Sequence, residues 1–126
     1  MVPVYYAGSG LDVEPAILLT QIASHLNIPK KQLKLICIDP LNKYAGSGYW
    51  SHQNIKIKLK GKYIEFHQIP VEEFKRPEGE AIILMKGSVT GDLLYRPGDL
   101  VVISSNTIVT KKYDNMTRIK FDYFTD

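Results

Sequence analysis

The sequence predicts an α+β fold, mostly β, in which one helix at about residues 13–27 packs on an antiparallel sheet or a small open barrel of six to seven strands. Three observations lead to this class. Only one stretch has strong helical spacing of apolar residues, many short β-prone runs fill the rest of the chain, and the links between these runs look short. Short sequential links favour antiparallel pairing, because a parallel crossover needs about a dozen residues or more.

Composition predicts one ordinary globular domain, 1–126. The chain has 126 residues and is 44% hydrophobic, which fits a domain of roughly 100–150 residues and argues against disorder. The single cysteine, Cys37, excludes an internal disulfide and a zinc site made of thiolates. The sequence has no secretory leader and no apolar run near the ~20 residues of a membrane span. We therefore expect a cytoplasmic location and no membrane partner.

The N-terminal part is predicted as strand, glycine turn and helix. The β-prone run 2–6 is interrupted by two glycines, after which Asp12 is a suitable N-cap and Pro15 fits the first helical turn. Asn27 and Pro29 are the stop signals. The apolar stripe of the helix consists of Leu18, Leu19, Ile22, Ala23 and Leu26.

The middle of the chain is predicted as a buried strand, a long loop and a hairpin. Apolar residues occupy both faces of the run 32–39, which indicates a strand buried on both sides. The later run 54–69 alternates with period two and turns at Lys60-Gly61. This register pairs Ile57 with Ile64 and gives each face of the hairpin a coherent chemistry.

The last part is predicted as further strands with short links. The polar stretch 70–80 is a connector bounded by prolines, and the runs 81–85 and 100–105 read as strands. Residues 96–99 form a tight turn, because Pro97 and Gly98 supply its backbone angles. A final hairpin is formed by the runs 107–112 and 117–124 with a turn at Asp114-Asn115.

The pentapeptide Tyr-Ala-Gly-Ser-Gly occurs twice, at 6–10 and at 44–48. The first copy lies between a predicted strand and a predicted helix, which is the context of an anion site. It lacks the third glycine of the dinucleotide fingerprint and the Gly-Lys-Ser/Thr of a P-loop, and Asp12 would repel a phosphate. We therefore favour a simple glycine turn. The sequences flanking the two copies share nothing, which argues against a duplication.

Residues 44–58 carry the features that point most directly to binding. Aromatic side chains and a histidine crowd the loop 44–52, where they could stack on bases or sugars, anchor a protein, or cover the end of a sheet. Lysines then alternate along the next strand as a positive ridge, which suits a nucleic-acid backbone but also blocks edge-to-edge aggregation. The candidate ligand-binding residues are Tyr44, Tyr49, Trp50, His52, Lys56 and Lys58.

These features favour a non-catalytic binding module for single-stranded nucleic acid or another anionic partner. The net charge of +3, with only three arginines, argues against a dedicated reader of duplex DNA. A first alternative is a protein-interaction or self-assembly module that forms a homo-oligomer. A second is a small enzyme that uses His52 and His67. We predict no cofactor, no catalytic constellation and no metal site, because two histidines without a third ligand hold a metal weakly.

Overall fold

The computed structural model describes residues 1–9, 15–40 and 63–122. Within these residues one α-helix and six strands are present, and the strands form a single sheet in the order β3-β2-β1-β4-β5-β6. Single 3₁₀ turns occur at Lys30–Gln32, Val71–Glu73 and Thr90–Leu93. The helix and strands are β1 (Val2–Ala7), α1 (Pro15–Leu26), β2 (Leu33–Ile38), β3 (Ile64–His67), β4 (Ile82–Met85), β5 (Leu100–Ser104) and β6 (Met116–Ile119).

Every neighbouring pair of strands in this sheet is parallel, so the predicted antiparallel α+β class is wrong and the fold is of the α/β type. The connections 68–81, 86–99 and 105–115 are each about as long as a parallel crossover requires. In addition, β2, β4, β5 and the last four residues of β1 are almost entirely buried on both faces, which is typical of parallel sheets.

The two predicted hairpins have different outcomes. The C-terminal hairpin is wrong, because 107–112 forms no strand and β6 pairs in parallel with β5. The other hairpin, with its turn at Lys60-Gly61, lies outside the described residues and stays a prediction. Its Ile64 is in β3 and pairs with Leu35 of β2 in parallel. The predicted turn at 96–99 is confirmed: Gly98 has a φ of 99° and the Asp99 amide donates to the Arg96 carbonyl over 3.1 Å.

Helix α1 covers one face of the sheet, which we call the helix face. Leu18, Leu19 and Ile22 are fully buried there, as the apolar stripe predicts. The helix ends as the sequence indicates: Asn27 has a φ of 55°, and the Ile28 amide donates to the Ala23 carbonyl over 2.9 Å. The sheet residues of this face are Val4, Tyr6, Leu33, Leu35, Cys37, Ile64, Ile82, Leu84, Val102 and Ile119.

The opposite face is covered by irregular connections and 3₁₀ turns, and we call it the loop face. Its sheet residues include Tyr5, Ile83 and Ile103, which are buried. Because irregular backbone carries polar groups that need partners when buried, this face also contains ion pairs. Among the described residues, the side chains that cover it include Val71, Phe74, Leu94, Tyr95, Val109 and Tyr113. Among the residues described above, no helix has both the length and the apolar character that a bilayer crossing demands.

Candidate functional site: the carboxyl edge of the sheet

The strand order reverses between β1 and β4. From β1 the chain adds β2 and β3 on one side, then returns to β4 and adds β5 and β6 on the other. All six strands end at the same edge, which we call the carboxyl edge, because all pairs are parallel. In open parallel sheets, ligands usually bind at the carboxyl edge, at the point where the strand order reverses.

The first Tyr-Ala-Gly-Ser-Gly motif lies at this reversal. Its Tyr6 and Ala7 complete β1, and Gly8 follows with a φ of 73°, a conformation that favours glycine. The Gly8 amide donates to the Ile38 carbonyl over 2.9 Å. A Cβ on Gly8 would lie 3.2 Å from Thr90 Oγ1, tighter than an ordinary contact. The glycine turn is therefore confirmed, and it brings the ends of β1 and β4 into close contact.

The connection after β4 supplies two hydroxyl groups. Ser88 Oγ and Thr90 Oγ1 are 2.5 Å apart, and the Thr90 amide donates to Ser88 Oγ over 3.1 Å. One hydroxyl proton is used within this pair, so the pair keeps a second proton that it can donate to a ligand. Gly91 holds the turn against the sheet, since a Cβ there would lie 2.8 Å from Ile83 Cγ2.

A carboxylate lies on the other side of the glycine turn. Asp39 directly follows β2, and because Ala7 pairs with Ile38, Asp39 and Gly8 are neighbours across adjacent strands. The Asp39 amide donates to the His67 carbonyl over 3.0 Å, which ties the end of β2 to the end of β3. The carboxyl edge thus presents, in order, a carboxylate, a glycine turn and a hydroxyl pair.

A second polar cluster joins the connection after β4 to the connection after β5. The Tyr113 hydroxyl donates to Asp92 Oδ1 over 2.8 Å, and Lys111 Nζ donates to the same oxygen over 3.0 Å. Burial, together with the hydrogen bond to Asp92, raises the pKa of Tyr113 to about 12. The hydrogen bonds from Tyr113 and Lys111 hold the pKa of Asp92 below its usual value.

The structure does not test the predicted ligand-binding residues. Tyr44, Tyr49, Trp50, His52, Lys56 and Lys58 all lie outside the described residues, so their prediction stays open.

His67, proposed with His52 for the enzyme alternative, is described. Its Nε2 is 3.1 Å from Glu65 Oε2, and its ring contacts Phe74 edge to face, with centroids 5.1 Å apart. In the described ranges no group of three or more His, Cys, Asp or Glu side chains could hold a metal ion.

Sequence reasoning missed Asp39, Ser88 and Thr90. Each follows a run of buried β-prone residues, which is the signal that could have found them. With parallel strands, residues after such runs meet at one edge; with the antiparallel sheet that we expected, they would be distributed over both edges. Comparisons of the chain with protein-family models, with curated proteins and with solved structures found no match.

Proposed function

We propose that the chain binds a nucleoside-bearing ligand at the carboxyl edge, between the ends of β1 and β4. The observation that carries the proposal is the reversal of strand order at β1 and β4, next to a glycine with positive φ. Open parallel sheets with this strand order bind nucleotides at such a reversal. This likeness at the level of fold supports the location and the ligand class.

Asp39 supports the nucleoside class. Acidic residues after the second strand of nucleotide-binding sheets accept hydrogen bonds from the ribose hydroxyls, and Asp39 has this position beside Gly8. We therefore assign the ribose to Asp39. Gly8 lets the end of β1 approach the Ser88–Thr90 hydroxyl pair closely, because it has no side chain.

The negative charges that follow Gly8 in the sequence favour a ligand that places no phosphate at the glycine turn. The sequence 8–14 contains Asp12 and Glu14 and neither lysine nor arginine, and carboxylates repel a phosphate at short range. On the β4 side, the hydroxyl pair of Ser88 and Thr90 offers a neutral donor. We therefore expect S-adenosylmethionine, a nucleoside ligand without phosphate, to bind more tightly than ATP, GTP or NAD.

Isothermal titration calorimetry of the wild-type chain with these four ligands tests the proposal. Asp39→Asn should weaken binding by about tenfold, because a charge-assisted hydrogen bond becomes a neutral one. Glu80→Gln is the matched control, since Glu80 is an exposed acid that precedes β4, at the opposite edge of the sheet. The proposal is rejected if none of the four ligands binds, or if both variants lose affinity equally.

We also propose, as a second function, that the segment 44–58 binds single-stranded nucleic acid. The support comes from the sequence, in which aromatic residues directly precede a lysine ridge. One observation on the fold favours the combination: β2 ends at the carboxyl edge, so the chain leads into this segment from the edge at which we propose the nucleoside site.

The second proposal has its own test. Lys56→Glu combined with Lys58→Glu should weaken binding to single-stranded DNA and reduce its salt dependence, by roughly 0.7 in the logarithmic slope for each phosphate that the lysines no longer neutralise. Trp50→Ala should weaken binding by about 1–3 kcal/mol for each stacked base with little change in that slope. A dimer in sedimentation that ignores DNA at low salt would instead support the self-assembly alternative.

A further inference from the structure

Two tyrosine rings and a carboxylate contact the ammonium group of Lys111. Lys111 Nζ lies over the rings of Tyr95 and Tyr113, 5.5 Å from each centroid. The two rings contact each other at 4.8 Å between centroids, with 70° between their planes. Asp92 Oδ1 is 3.0 Å from the same ammonium. We call Asp92, Tyr95 and Tyr113 the ammonium box.

The ammonium box is held together by its own contacts and by the sheet. Tyr113 is buried, and its hydroxyl donates to Asp92. Asp92 lies in the turn Thr90–Leu93, whose Gly91 packs against Ile83. These contacts do not depend on Lys111, whose side chain is 56% exposed. The walls of the ammonium box are therefore built independently of the lysine that occupies it.

Tyrosine faces attract cations through the ring quadrupole, and two faces with a carboxylate form the kind of site that recognises quaternary ammonium groups. We propose that the ammonium box is a binding site for a methylated ammonium group, and that Lys111 occupies it when no ligand is present. Lys111 is then a competitor from within the chain. This inference does not depend on the nucleoside site, because it uses a different set of residues.

Competition with Lys111 lowers the affinity of the ammonium box for an external cation. In the wild type, an external cation has to displace Lys111, so its observed affinity is reduced by the fraction of molecules in which the box is closed. When Lys111 leaves, its ammonium becomes hydrated, and Asp92 and the two rings become available. A methylated ammonium is less strongly hydrated than that of lysine and gains more from the rings.

Titration with tetramethylammonium chloride, followed by proton NMR, tests this site. Ring currents of the two tyrosines should shift the N-methyl resonance of the bound cation upfield. We expect Lys111→Ala to bind the probe about tenfold more tightly than the wild type. Lys112→Ala, a change at the exposed neighbour, is the matched control and should behave like the wild type. Sodium chloride at equal ionic strength accounts for screening.

A further variant ties the signal to the ammonium box. Tyr95→Ala added to Lys111→Ala should abolish the shift of the N-methyl resonance, while circular dichroism shows that the fold is kept. Choline is a free small molecule and trimethyl-lysine is part of a peptide, but both carry the same trimethylammonium group. Comparing their affinities therefore distinguishes a free ligand from a protein-borne one. Tighter binding of either one in Lys111→Ala supports the site.

Two results would overturn the inference. One is a folded Lys111→Ala protein that binds tetramethylammonium no better than the wild type. The other is a shift that survives the added Tyr95→Ala change, because the signal would then come from elsewhere. If Lys111→Ala does not fold, Lys111→Gln replaces it, since glutamine keeps part of the side-chain stem and removes the charge. The same two criteria apply to that variant.

Discussion

The two faces of the sheet are stabilised by different means. Helix α1 packs on the helix face with its backbone hydrogen bonds satisfied within the helix, and its buried contacts there are apolar. Its polar contacts lie on the exposed side, where His25 Nε2 is 3.0 Å from Thr117 Oγ1. The loop face is covered by irregular segments. These segments are tied together by Arg76 and Asp99, whose side chains are 3% and 1% exposed. A sheet covered by a helix needs only matching apolar surfaces, whereas one covered by loops needs partners for buried polar groups as well.

The Arg76–Asp99 pair shows how the loop face meets this requirement. The Asp99 carboxylate accepts hydrogen bonds from both terminal nitrogens of Arg76, from the Ala81 amide over 3.0 Å and from the Arg96 amide over 2.8 Å. Burial raises the pKa of Asp99, but the hydrogen bonds from Arg76, Arg96 and Ala81 outweigh it and hold this pKa below its usual value. One carboxylate thus joins the two connections that precede β4 and β5.

The largest expected effect is on this pair. Asp99→Ala should lower the free energy of unfolding by about 3–5 kcal/mol, because it leaves a buried guanidinium without its counter-charge. Urea denaturation measures the change, and Asp114→Ala, at an exposed acid in the connection after β5, is the control. A loss below about 1 kcal/mol would mean that the loop face does not depend on the pair. Arg76→Met combined with Asp99→Leu should cost less than Asp99→Ala alone.

The buried part of the helix face should respond through packing. Leu19→Ala should cost about 2–5 kcal/mol, because Leu19 is fully buried and its removal leaves a cavity. Thr20→Ala, on the exposed side of the same helix turn, should change stability little. The two substitutions are compared by thermal and urea unfolding. Equal effects would contradict the orientation of α1.

A smaller effect distinguishes two glycines at the carboxyl edge. Gly8 and Gly87 both have a φ of 73°, but a Cβ on Gly8 would meet the Thr90 and Ser88 side chains, while one on Gly87 would meet nothing within 4 Å. Gly87→Ala should therefore cost about 1–2 kcal/mol for backbone strain alone. Gly8→Ala should cost more, and the difference measures how closely the ends of β1 and β4 pack. An equal loss of stability in both variants would mean that the packing there is loose.

The smallest effect concerns Tyr113 on the loop face. Tyr113→Phe should cost about 1 kcal/mol at neutral pH through the missing hydrogen bond to Asp92. Because folding raises the pKa of Tyr113 from 10.0 to about 12, its contribution is complete below pH 10 and is lost as the pH rises through about 12. Unfolding curves across this range should show a weaker alkaline loss of stability in Tyr113→Phe. An unchanged loss would assign the titration to another group.

Part of this fold could be predicted from local sequence. The stripe of α1, the stop at Asn27 and the turn at 96–99 depend on neighbours in the chain, and all three are present. The strand direction was predicted wrongly. Period-two alternation in two stretches suggested hairpins, and we therefore expected short connections between the strands. The continuous apolar runs of β2 and β4 carried the better signal, since both faces of a parallel sheet are covered.

The candidate site and the buried ion pair follow from tertiary structure. Asp39, Ser88 and Thr90 come together only because β1, β2 and β4 are adjacent and parallel. Arg76 and Asp99 are far apart in the sequence and belong to two different connections, so no local spacing indicates their contact. The ammonium box likewise needs the connections after β4 and β5 to meet.

The position of β1 has a consequence for how the chain folds. β1 is made before both β2 and β4 and lies between them in the sheet, so its edge toward β4 has no partner in this sheet until residues 82–85 have been made. Until then a newly made chain exposes an apolar strand with unpaired backbone groups, which can pair with another molecule. Closing such a distant contact also slows folding, because a long loop must be ordered first. Chains that stop before β4 should therefore aggregate rather than fold.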